Sequence, residues 1–338
     1  MKRLIFVLGV VLWIAGFLLP CPLHAAPKTV LKIATLSPDG TSLMTALRDA
    51  GRDIESKTGG RITLKIYPGG VMGNDNVVLK KIRSRQLDGG TFTAGGIADE
   101  YPDYQILSLP MLFQNYQEVD AVRAVLEPNL IRGLEQKGYI SMGIIEAGFV
   151  YMMSNTPIDS LEKLRGRKVW IPEGDLISAR AFKKMGVPPV PLSLPDVLTS
   201  LQTGMLDTVS NSPVATVVLQ WFTRLSYLTE TPLLYAYGTL AFSRQAWNRV
   251  PTQDQPVVRD ILERYLKRID KINRVDNRKA METLKKQGMK FVSITPNSYS
   301  RMQSVSNQTI DELVREGLFS SDLVSRIRAI IASIRKKS

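Results

Sequence analysis

Ser160-Leu161-Glu162-Lys163 has the spacing of a serine nucleophile beside a lysine base, and Lys57-Thr58-Gly59 matches the companion element of penicillin-binding enzymes. The order excludes that chemistry, because Lys-Thr-Gly comes first and no Ser-Asp-Asn element follows. Ser160 reads instead as a helix cap. Gly69-Gly70-Val71-Met72-Gly73 lacks the Gly-Lys-Ser/Thr ending of a phosphate loop and reads as a turn. Asp88, Asp99, Glu100 and Asp103 could gather a hard cation, but their spacing fits no calcium loop. The sequence therefore assigns no catalytic residue, no metal and no cofactor.

The start of the chain narrows the chemistry further. Lys2 and Arg3, the apolar run Leu4 to Leu19, and the small residues Ala25 and Ala26 have the layout of a secretory signal peptide, residues 1–26. An uncleaved anchor is the competing reading, since the run approaches the roughly 17 residues that span a bilayer. Cys21 and His24 are the only cysteine and histidine in the chain, and both lie in this leader. Without it no disulfide, thiol nucleophile, imidazole base or His/Cys zinc site can be built. Export across the cytoplasmic membrane is expected. A net charge of +13 allows an acidic partner, but the basic residues form no block interleaved with aromatics, so no nucleic-acid partner is expected.

Roughly 310 residues then remain, enough for two domains. Strand and helix patterns alternate. Val30–Thr35 reads as a strand, followed by the helical spacing of Leu43, Leu47, Ala50 and Ile54. Ile62, Leu64 and Ile66 alternate as the next strand, a helix runs from about Asp75 to Arg85, and a strand lies near Thr91–Thr93. The second half repeats the order: strands at Ile140–Ile145, Tyr151–Ser154, Lys168–Ile171 and Val190–Leu192, a short helix opened by Asp159, and a helix at Leu176–Lys184. This order predicts an α/β fold with a mainly parallel sheet. From Pro256, an apolar stripe through Val258, Ile261, Leu262, Tyr265, Leu266, Ile269 and Ile272 predicts a long helix or a helix pair reaching Gly288. Leu323–Lys337 is a basic amphipathic stretch that suits a docked terminal helix.

Four strand-to-helix loops carry small or polar residues: Asp39-Gly40-Thr41-Ser42, Thr93-Ala94-Gly95-Gly96, Glu173-Gly174-Asp175 and Asn211-Ser212-Pro213. Such loops lie where open α/β sheets bind ligands, and each could aim helix N–H groups into a cleft.

Over almost its whole length after the leader, the chain resembles the periplasmic solute-binding proteins of TRAP (tripartite ATP-independent periplasmic) transporters, of the dicarboxylate-binding type. The matching blocks are Thr58-Gly59-Gly60-Arg61-Ile62 into Tyr67-Pro68-Gly69-Gly70, Met72-Gly73-Asn74-Asp75, and Leu109-Pro110-Met111-Leu112-Phe113. Pro157-Ile158, Leu164-Arg165-Gly166-Arg167-Lys168-Val169 and Leu201-Gln202-Thr203-Gly204-Met205-Leu206-Asp207 complete them. The resemblance implies a two-domain periplasmic binding protein-like fold with a hinge, a cleft and a long domain-spanning helix. It implies a small organic solute and two membrane subunits as partners, and no enzymatic activity. The expected division is 27–147 with about 237–275 for one domain and 148–236 with about 276–338 for the other.

The resemblance also exposes a departure. The position of Trp170 usually holds an arginine that pairs with the ligand carboxylate, and Val150 stands where a second arginine is common. Asn211 falls on the usual polar contact, and Asp75, Thr93, Glu173, Leu194 and Asp39 fall near other pocket positions. Without the planar guanidinium fork, a buried carboxylate loses two charge-assisted bonds. A ligand other than an arginine-clamped carboxylate is expected, with Trp170 as an apolar wall. The competing reading makes Trp170 core and gives a carboxylate to Arg180. Two other functions remain open, an exported scaffold or sensory protein on the same fold and a carboxylate-only glycosidase using Glu173 and Asp175.

Overall fold

The computed structural model describes residues 28–336. Residues 1–27, which include the expected leader with Cys21 and His24, lie outside the described residues. No described helix is long and apolar enough to cross a membrane.

The first unit is strand β1 (Thr29–Ala34), helix α1 (Ser42–Lys57), β2 (Ile62–Tyr67), α2 (Asp75–Arg83) and β3 (Gly89–Thr93). Both β2 and β3 run parallel to β1, as right-handed β-α-β crossovers demand. Helix α1 turns Met44, Leu47, Ala50 and Ile54 inward, the 3.6-residue stripe legible in the sequence. A 3-10 turn at Pro102–Ser108 leads to α3 (Tyr116–Gln136) and then to β4 (Tyr139–Ser154). Next come α4 (Leu161–Leu164), β5 (Trp170–Pro172), α5 (Leu176–Lys184), β6 (Val190–Leu192), α6 (Val197–Gln202), β7 (Thr208–Asn211) and α7 (Pro213–Val218). The chain returns through β8 (Tyr227–Ser243), a short α8 (Arg244–Trp247) and α9 (Gln255–Lys286), and ends with β9 (Lys290–Val292), α10 (Pro296–Arg315) and α11 (Ser321–Arg335).

Three expectations need correction. The sheet is mixed: β8 pairs antiparallel with β3 and with β4, and β4 pairs antiparallel with β7. The strands expected at 140–145 and 151–154 are one, because β-bulges at Ser141/Ile144 and Glu146/Gly148 keep the chain extended through glycines that resemble a turn. Gly148 holds φ +100°, which a side chain would resist. Finally, Asp159 does not open the short helix α4 but pairs with the Lys163 ammonium; the cap is Ser160, as its sequence position suggested, with its side chain accepting the Lys163 N–H.

The paired strands β4 and β8 cross between two lobes. Helix α9 lies along both: Val258, Ile261, Leu262 and Ile269 pack in the core with α1, and Leu284 packs in the core of the second lobe with Trp170 and Trp221. Helix α11 returns to the first lobe, where Ile327 and Ile331 share a core with Val122 and Leu126 of α3. Arg335 closes that contact with a 2.7 Å bond to the buried Glu118 carboxylate.

Candidate functional site

The four polar loops meet. Residues from each line one cavity of about 650 Å³ between the lobes. Each adjoining helix start already caps itself. Thr41 accepts from Met44 N–H at 3.3 Å, Asn74 from Val77 N–H at 3.0 Å, Asp175 from Ser178 N–H at 2.9 Å and Ser212 from Ala215 N–H at 3.4 Å. Val214 N–H donates to Asn277. The backbone donors that an anion would need are thus partly spent within the protein.

Asp75 opens α2 and is buried. Its Oδ2 accepts Thr93 Oγ1–H at 2.7 Å and Thr93 N–H at 3.1 Å, and Thr93 Oγ1 accepts Gly96 N–H at 2.9 Å. A Cβ on Gly96 would stand 1.8 Å from that oxygen, so the loop must carry glycine there. Burial pushes the Asp75 carboxyl up to about 6 against the opposing pull of the Thr93 bonds. Burial also raises Asp175, opposed by the Ser178 and Ile177 contacts.

Trp170 lines the cavity and is also core. Its ring meets Trp221 edge-on at 5.2 Å, and its Nε1–H donates to Leu192 O at 3.0 Å. Val150, buried on β4, and Leu194 line the same cavity. Asn211 also lines the cavity, and its Oδ1 accepts Ser212 N–H at 2.8 Å. Glu173 accepts Asn74 Nδ2–H at 2.8 Å, a bond from one lobe to the other. Asp39 is not among the lining residues; its carboxylate pairs with exposed Arg48. Arg180 pairs with Glu316 and does not line the cavity either.

Several wall residues escaped the sequence reading. Asp276 of α9 accepts Ser42 Oγ–H at 2.7 Å, and Asn273 and Ser306 also line the cavity. A signal for the first two existed: the apolar stripe of α9 gives way to Asn273, Asp276 and Asn277 on the same side. Glu146, fully buried on β4, accepts Arg274 Nε–H at 2.8 Å and Tyr235 Oη–H at 3.0 Å. Among the described residues, the cavity wall contains no lysine, arginine or histidine. It contains six carboxylates, Asp75, Asp99, Glu146, Glu173, Asp175 and Asp276, within a chain of net charge +13.

Two α/β lobes joined by a crossing strand pair, with a cleft lined from both, are the architecture of a solute-binding protein. The chain belongs to the bacterial extracellular solute-binding protein family 7, whose model matches residues 33–316. It is 29% identical to the protein YiiZ of Salmonella typhimurium over 195 residues, 56% of this chain and 59% of that one. It is 21% identical to the C4-dicarboxylate-binding periplasmic protein DctP of Rhodobacter capsulatus, over 82% of this chain and 84% of that one. A TRAP periplasmic solute-binding protein of Haemophilus influenzae with bound L-gulonate superposes with a TM-score of 0.83 at 19% identity, covering 90% and 100% of the two chains. That likeness fixes the fold.

Proposed function

We propose that this protein captures a small organic solute in the cleft, outside the cytoplasmic membrane, and delivers it to the membrane subunits of a TRAP transporter. We propose further that the solute is not held as an arginine-clamped carboxylate. The relatives named above bind C4-dicarboxylates and L-gulonate, which are acids. The observation that carries the departure is the cavity wall without a cationic side chain. An acid bound there would lose several kcal/mol of hydration with no buried cation to offset it. The lobes correspond to 27–147 with about 237–275 and to 148–236 with about 276–338, with α11 crossing back onto the first.

The scaffold reading gains no support from the cavity, whose volume falls within the roughly 300–1,000 Å³ of small-molecule sites. Glu173 and Asp175 sit two residues apart on one loop, whereas a glycosidase sets its carboxylates on opposite sides of the scissile bond.

Native mass spectrometry of the protein purified without its leader, followed by release of any retained molecule, tests the reading. The released molecule is expected to lack a carboxylate. Titration calorimetry with succinate and L-gulonate is expected to show no binding to the native protein and measurable binding to Trp170→Arg. Equal binding of these acids by both proteins would overturn it.

A further inference from the structure

Buried polar groups in folded proteins are almost always hydrogen-bonded, so a buried group in a cavity wall that is not bonded points to what fills the cavity. Gln105, in the 3-10 turn at Pro102–Ser108, is 5% exposed and lines the cavity, yet its side-chain amide bonds to no described residue. A Cβ on Gly95 would lie 3.9 Å from its Oε1, which sets the amide beside the polar loop at 93–96. An amide kept from water without a partner is costly.

Two hydroxyls of the other lobe share this condition. Ser306 of α10 is fully buried, and the Oγ of Ser210 on β7 is buried as well. Both residues line the cavity, and neither hydroxyl has a hydrogen-bond partner among the described residues. They border the same apolar cluster. Ser210 stands opposite Met152 in the antiparallel β4–β7 pair and shares its face. Ser306 follows Met302 by one helical turn, and Met152 and Met302 belong to one core cluster with Phe182 and Leu233. The unspent groups thus come from both lobes, and each is neutral and able both to donate and to accept.

The carboxylates of the wall add acceptors. Asp276 spends Oδ2 on Ser42 and Glu173 spends Oε2 on Asn74, while their second oxygens bond to no described residue. A carboxylate oxygen takes a solute hydroxyl in a charge-assisted bond and needs no cation to do so.

We propose that the solute is a neutral polyhydroxylated molecule, a sugar or sugar alcohol, held between Gln105 of one lobe and Ser210 and Ser306 of the other, with Asp276 and Glu173 accepting further hydroxyls. This rests on the reading of the protein as a solute receptor whose ligand is not clamped by arginine. Hydroxyls spread along the solute meet partners on both lobes, so binding and closure favour each other. A solute with a single polar head would satisfy Gln105 or the serines and leave the others buried and unpaired.

Calorimetry with D-sorbitol, D-mannitol and D-galactose, against L-gulonate and 1,6-hexanediol, tests this. D-sorbitol is L-gulonate with its carboxylate reduced to a primary alcohol, and 1,6-hexanediol keeps the carbon chain without the inner hydroxyls. At least one polyol is expected to bind about tenfold more tightly than either control, equivalent to about 1.4 kcal/mol. Gln105→Leu, of similar size, is expected to weaken that polyol by at least about threefold, the effect of one lost hydrogen bond, and Ser306→Ala to act the same way. Neither variant should unfold at a lower denaturant concentration than the native protein, because without solute these groups have no partner to lose. Polyol binding undiminished in both variants would overturn the proposal. Hexanediol binding as tightly as the polyols, or no polyol binding at millimolar concentration, would overturn the polyol and leave the receptor reading standing. Tightest binding of L-gulonate would overturn both.

Discussion

Asp75 shows how one side chain couples the cleft to stability. Its carboxyl is held near 6 by burial, above the ordinary carboxylate range, so the folded protein keeps this proton more tightly than the unfolded chain does. The group therefore adds stability at low pH and loses that contribution as pH rises from the ordinary value towards about 6. Across that window the loss amounts to about 3 kcal/mol. Asp75→Asn keeps an acceptor for Thr93 and has no charge to bury. Denaturant unfolding at pH 4 and pH 7.5 should show the variant gaining on the native protein by up to about 3 kcal/mol at the higher pH. A constant difference between them would show that Asp75 is solvated. Gly96→Ala acts on the same group by sterics: its Cβ would collide with Asp75 Oδ2, so a loss of roughly 1–3 kcal/mol is expected in the same assay. Trp170 marks the limit of sequence reading at this scale. A strand around it was visible, although β5 begins at Trp170, and its edge-on contact with Trp221 joins residues far apart in the chain, so it serves as core and wall together.

At the scale of elements, what was local was legible. The β-α-β alternation, the apolar faces of α1 and α9, and the four polar loops follow from spacing and turn chemistry within short windows. The pairing of β4 with β8 was not legible, because it joins Tyr139–Ser154 to Tyr227–Ser243 and no local pattern records a partner. Ser306 was missed for the same reason, since only tertiary packing turns it to the cleft. The crossing strands also carry a buried ion pair. Glu146 sits at the bulge of β4 and is held by Arg274 of α9, which also pairs with Asp120 of α3. Those carboxylates raise the Arg274 pKa further above its ordinary value. Removing Arg274 leaves the buried Glu146 carboxylate with only the longer 3.5 Å pairing to Arg123. Arg274→Leu should therefore lose about 1–3 kcal/mol in equilibrium unfolding, the range for a lost bond to a charged group. The double variant Glu146→Leu/Arg274→Leu should recover a large part of it, because no lone charge then stays buried. A double variant no more stable than Arg274→Leu would show that the pair is not the source of the loss.

For the whole molecule, the distribution of charge links binding to motion. The chain is strongly basic, yet the cavity between the lobes is lined by carboxylates and by no cationic side chain among the described residues. Helix α9 and the β4–β8 pair tie the lobes together, and the Asn74–Glu173 hydrogen bond joins them again at the cavity. That hydrogen bond favours the closed form, while the six carboxylates of the wall repel one another as the cavity shrinks. Glu173→Gln keeps an acceptor for Asn74 and removes one charge, a change on the order of 1 kcal/mol for partly screened groups, or about fivefold in the closed-to-open ratio. With spin labels on cysteines placed at exposed Lys57 and Arg224, in a chain with no cysteine after the leader, the solute-free variant should shift towards the shorter-distance population. High salt should move the native protein the same way, by screening the repulsion that the mutation removes. Identical distance distributions for the two proteins at low salt would show that the wall charges do not govern closure, and that the cavity closes on shape alone.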